Sequence, residues 1–279
     1  MQVRKIGAIG SALLLIGGML TACKPEGDGK PVSGEQQRQI IDEIAAKFVQ
    51  QDESDPTYLG AKDRTVTGDF DIAEESAGYS AAFAGKMTLR VDVDAKLSLL
   101  TMDVRTRETQ PDGVAEGFDS KFDMYLNLEK DSARIYAGQD GQWHQQQLDL
   151  ENFRDMVGSP QLQVDISSYL KNGEKVSLEE KGDTYVLRVD PRSEAIREQF
   201  SEISGRGQIS DIAGEVEIVV DKDDYEMRSY RVDTQARFEM QGEEGKMRFF
   251  LDMDSRDESV KLQVPREALD APEAEIFPH

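Results

Sequence analysis

The sequence is short of the side chains that carry most enzymatic chemistry. It has one cysteine, Cys23, and two histidines, His144 and His279, in 279 residues. A single thiol leaves no disulfide framework. With thiols otherwise absent and imidazoles scarce, a zinc site is disfavoured. A Ser–His–Asp arrangement has only His144 to use, read here as an exposed strand residue beside Trp143, and there is no G-x-S-x-G elbow. No P-loop is present, and "SGRG" at 204–207 reads as a helix stop. Acidic pairs such as Asp92/Asp94 and Asp252/Asp254 do not make an EF-hand. "DKDDYEMRSYRV" and "DMDSRDESVKLQ" lack the glycine at the sixth position and the glutamate at the twelfth. No catalytic residue, metal ligand or cofactor is therefore expected.

Long apolar runs are also missing. Only Ile6–Leu20 qualifies, and it falls short of the ~20 residues a spanning helix needs. Basic residues are outnumbered 33 to 55, for a formal charge of −22. Such a surface repels nucleic acid and anionic headgroups. It reads as a solvated extracellular surface, with loose accumulation of cations as the alternative.

What is present begins at the N-terminus. Arg4 and Lys5 form a positive segment, Ile6–Leu20 an apolar core, and Leu20-Thr21-Ala22-Cys23 follows. The arrangement suits a signal peptide over 1–22, and the tetrapeptide resembles the bacterial lipobox. That resemblance implies cleavage before Cys23 and a lipid (diacylglyceryl, palmitate-type) anchor on its sulfur. Two or more acyl chains on one residue hold a protein on a bilayer, whereas one binds only marginally. Residues 23–35 then read as anchor and flexible tether, 36–270 as a single folded domain, and 271–279 as a loose tail.

Within the domain, Ile40, Ile44 and Phe48 recur every four residues beside Ile41, Ala45 and Val49, the stripe of an amphipathic helix. "KMTLRVDVD" and "KFDMYLNL" alternate apolar and polar positions, as antiparallel strands with one covered face do. Asp140-Gly141 is a hairpin dipeptide. Leu150–Val157 reads as a short helix. Leu162, Ile166, Tyr169 and Leu170 read as a second, although "LQVDI" also suits a strand, and Arg192–Ser204 as a third. Strands follow at 213–221, 225–240, 246–255 and 259–264. The expected fold class is α+β: about ten strands in one strongly curved antiparallel sheet, a half-open β-barrel, with three or four helices covering its concave face. A sheet of that size curls.

"FDMYLNLEKDSARIYAGQDGQWHQQQLD" resembles a segment of uncharacterised lipoproteins of Gram-positive bacteria, through Tyr125, Leu126, Tyr136, Gly141, Trp143 and Leu148. That family is similar to the envelope carriers of the LolA/LppX-like superfamily. The resemblance implies an unclosed barrel with a helical lid over an apolar cavity for acyl chains. It transfers no catalytic residue.

Seven of the methionines beyond Cys23 fall on expected strands, and methionine suits adaptable apolar surfaces as well as ordinary cores. The cavity candidates are Phe48, Met87, Leu89, Val91, Met124, Leu126, Phe153, Ile166, Phe200, Met247, Phe249 and Leu251. The expectation is a monomeric, non-enzymatic lipoprotein on the extracytoplasmic face of the cell membrane, or the periplasmic face of an outer membrane, holding a lipid or acyl chain. The alternative is a structural or sensory envelope protein that works through protein contacts without a cavity.

Overall fold

The computed structural model describes residues 29–52, 62–76, 78–110, 112–157, 170, 176–192, 209–240 and 243–276. In chain order its elements are β1 (Lys30–Val32), α1 (Gly34–Asp52), β2 (Arg64–Ser76), β3 (Tyr79–Asp92), β4 (Leu97–Thr109), β5 (Ala115–Leu128), β6 (Ser132–Gln139) and β7 (Gln142–Asp149). Then come α2 (Leu150–Val157), β8 (Val176–Lys181), β9 (Thr184–Val189), β10 (Ile209–Asp221), β11 (Met227–Met240), β12 (Glu243–Asp257) and α3 (Arg266–Leu269).

The strands form one twelve-stranded sheet in the order β1-β8-β9-β10-β11-β12-β2-β3-β4-β5-β6-β7. Every ladder is antiparallel, as the alternation of apolar and polar residues predicts. Two meanders, β2–β7 and β8–β12, meet where β12 pairs with β2, Leu251 opposite Phe70. The sheet does not close into a barrel, because β1 and β7 are its two edges. Central strands run 13 to 15 residues, while β8 and β9 have six.

Four expectations change. The described residues hold twelve strands rather than about ten: β1 lies inside the expected tether, and β2 joins the two meanders. Pro31 is tolerated because β1 is an edge strand. Residues 259–264 form no strand; their backbone is held by side chains, as described below. Residues 271–276 are not loose. Gln145 on β7 donates its backbone N–H to the Pro272 carbonyl and accepts from Ala274 N, while Ile276 is buried. Of the expected helices, α1 and α2 are present. The helices at 162–170 and 192–204 lie outside the described residues, save for buried Leu170 and exposed Arg192.

Register explains the core. Residues paired across an antiparallel ladder share a face, so the alternating apolar positions of successive strands line up. Met253, Gly68, Met87, Met102 and Phe122 form one row, and Leu251, Phe70, Gly85, Val104 and Ser120 the next. Gly85 is needed there. A Cβ at that position would lie 2.9 Å from Phe70 Cζ and 2.1 Å from the Asp103 carbonyl oxygen. Gly245 likewise makes room for the ring of Phe238.

Candidate functional site

The apolar face is the candidate site. Its buried side chains form one cluster reaching from β8 to β7, and the stripe of α1 (Ile40, Ile41, Ile44, Ala45, Phe48) belongs to it. Among the cavity candidates, Phe48, Met87, Phe153, Phe249 and Leu251 are buried in that cluster. Leu89, Met124, Leu126 and Met247 are half-buried against it. Val91 is buried but outside the cluster, and Ile166 and Phe200 lie outside the described residues. Ile72, Phe83 and Phe118 also pack half-buried on this face, although the sequence reading missed them. Ile72 pairs with Phe83, whose ring centroid is 5.0 Å from that of Phe70. The alternation that would have marked them is interrupted by alanine and by Glu74 and Glu75.

Side chains tie α1 to the sheet at two points. Gln37 Nε2 donates to the Val176 carbonyl at 2.7 Å, at the start of β8. Tyr225, between β10 and β11, donates its hydroxyl to Glu43 Oε2 at 2.6 Å. That bond, with some burial, pushes the Tyr225 phenol up to about 12 and holds the Glu43 carboxyl below its usual range. Tyr230, on the apolar face, is pushed up by burial alone.

The opposite face is polar and dense in ion pairs. Arg188 meets Glu179, Glu215 and Glu217 within 3.3 Å, and these carboxylates raise its pKa. Arg248 bridges Asp71 and Asp233 and lies over the ring of Phe250. Residues 258–276 cross this face as a strap. Asp63 accepts from Val93 N and Val260 N, and Asp92 accepts from Ala95 N and Leu262 N, all within 3.1 Å. Asp92 is only 2% exposed. The Leu262 amide holds its carboxyl below the usual range against the opposing effect of burial, with help from Ala95 N and Lys261. Farther along, α3 packs on β6 and β7, and Gln145 Nε2 donates to the Ala271 carbonyl at 2.6 Å. Leu97, Leu99 and Tyr136, on this polar face by register, are buried.

The residues of the sequence motif sit together on β5–β7. Tyr125 pairs with Tyr136, and its ring lies 5.9 Å from that of Trp143, which covers Gly138. Gly141 takes a positive φ in the hairpin turn, as does Asp140. Leu126 and Leu148 face the apolar side. His144, expected to be exposed, is half-buried opposite Ala137 on the apolar face.

Two open cavities of about 710 and 380 Å³ lie away from the candidates. The larger is flanked by Arg188, Asp190 and Arg192, the smaller by Lys86, Asp103, Arg105 and Asp119. Among the described residues, no three His, Cys, Asp or Glu side chains are grouped to hold a metal ion. No helix among them is long and apolar enough to cross a membrane.

Comparison with known proteins adds a family and no activity. No curated protein matches the chain. A solved DUF1329 family protein from Desulfovibrio piger is similar at 11% identity, over 81% of this chain and 95% of that one, with a TM-score of 0.26. A likeness that slight carries no argument about fold or function. Residues 80–273, from β3 to the strap, match a family of unknown function, and the chain belongs to that family, DUF6612.

Proposed function

We propose that the protein is a non-enzymatic lipoprotein that holds a hydrophobic ligand, a lipid or acyl chain, on the apolar face of its sheet. The observation that carries this reading is the apolar face itself. It continues across both meanders, and Ile72, Phe83, Leu89, Phe118, Met124, Leu126 and Met247 remain half-buried on it rather than sealed. In this reading the open sheet curls into a half-open barrel with its helices over the concave side. Contact with acyl chains would be driven by apolar burial, at roughly 25 cal/mol per Å² before ordering costs.

Anchoring completes the proposal. The positive segment, apolar core and lipobox-like LTAC support a signal peptide and a lipid on Cys23. The protein would then sit on the extracytoplasmic side of a cell membrane, as in the Gram-positive lipoproteins whose motif it resembles, with the periplasmic face of an outer membrane as the other location. A second reading, contact with a protein partner and no ligand, is favoured by the complete burial of Ile44 and Phe48 against the sheet. Native mass spectrometry and lipid extraction of residues 24–279 decide between them. Co-purifying lipid supports the carrier. A ligand-free protein that takes up no fluorescent fatty acid overturns it.

A further inference from the structure

The fold fixes where the chain emerges. β1 begins at Lys30, paired with Glu180, and runs inward from the end of the sheet that holds the β8–β9 turn. The β3–β4, β5–β6 and β10–β11 turns lie at that same end. Five lysines, Lys96 and Lys130 among them, are found there beside seven turn carboxylates such as Asp94, Asp131 and Asp223. Seven residue steps separate Cys23 from Lys30. Fully extended, they reach about 25 Å. The 13 residues of β4 span about 43 Å at ~3.3 Å each, so the opposite end, with the β4–β5 turn, lies farther away than the tether is long. Had the tether extended to residue 35, as composition alone indicated, this constraint would be much weaker.

We infer that the end of the sheet where β1 begins faces the bilayer that holds the Cys23 lipid, while the end carrying the β4–β5 turn points away from it. This rests on the anchored reading above. The partner surface is the headgroup layer of the protein's own membrane. Carboxylates outnumber ammonium groups in the proximal turns, so the short tether rather than charge attraction sets the orientation. The half-buried apolar residues Ile72, Phe83 and Phe118 lie toward the distal end. A ligand entering there would arrive from outside the protein's own membrane.

Lipid attachment consumes the one native thiol, so an introduced cysteine is the sole label site. Lys130→Cys marks the proximal end, and Val114→Cys, 51% exposed, marks the distal end. Each full-length lipidated variant is labelled with a fluorophore and reconstituted in phosphatidylglycerol/phosphatidylethanolamine vesicles carrying a headgroup-linked acceptor dye. Energy transfer from position 130 at least about twofold above that from position 114 is expected, given the separation of the two ends. Equal transfer, or more from position 114, overturns the orientation and leaves anchoring intact. No transfer from either position, with protein that fails to float with vesicles, overturns anchoring and orientation together.

Discussion

On the apolar face a deleted side chain leaves a hole that neighbours cannot fill, whereas on the polar face water takes the place of a lost partner. Phe48 and Ile44 are essentially unexposed among side chains from α1 and several strands. Arg248 keeps nearly half its side-chain surface in water while bridging Asp71 and Asp233. Both faces look ordered, yet burial rather than the number of visible interactions sets what each contributes. The strap is intermediate, since its interactions with Asp63 and Asp92 are polar but largely shielded.

Three substitutions sharpen this contrast. Phe48→Ala has the largest expected effect, a loss of about 3–5 kcal/mol from transfer and cavity terms. Urea unfolding measures it, and a loss below about 1 kcal/mol would show that the α1 contact is loose. Asp92→Asn removes the charged acceptor of two backbone amides and is expected to cost about 1–3 kcal/mol at neutral pH. Because the folded carboxyl titrates below its unfolded value, its contribution is complete above the ordinary aspartate range and fades as pH falls through the folded value. The stability gap between wild type and D92N should therefore narrow below about pH 4. A gap that stays constant between pH 7 and pH 3 would show that the carboxylate does not hold the strap. Arg248→Gln is expected to cost less than about 1 kcal/mol, and less still in high salt. A larger or salt-independent loss in thermal melts would place that pair among the structural ones.

The sequence made the repeating elements legible and left the non-local ones hidden. Ile40, Ile44 and Phe48 announce α1, and the alternation in 86–94 and 121–128 announces β3 and β5, because each element writes its own period into its side chains. β1 has three residues and a proline, too few to show any period, and its partner lies on β8 far along the chain. In β2, Gly68 and paired acidic residues obscure the alternation. The strap has no period because backbone amides secure it to acceptors elsewhere; Val260 N reaches Asp63 across 197 positions. At the candidate site, ten of the twelve apolar positions named from sequence fall among the described residues. All ten are buried or half-buried, nine of them in the core cluster or packed against it. The half-burial of Ile72, Phe83 and Phe118 depends on where the sheet ends and on what crosses it, which a local pattern does not encode.

The strap's last turn also decides what the sheet can do with its neighbours. Passing round β7, it places Pro272 and Ala274 on the outward backbone groups of Gln145 and tucks Ile276 into the core on the other side. An open sheet is ordinarily a template for further strands. Here residues 272–274 bond to one margin at Gln145, and the outermost strand of the opposite margin, β1, has three residues, one of them proline. Each device shortens the free edge that a neighbouring molecule could extend.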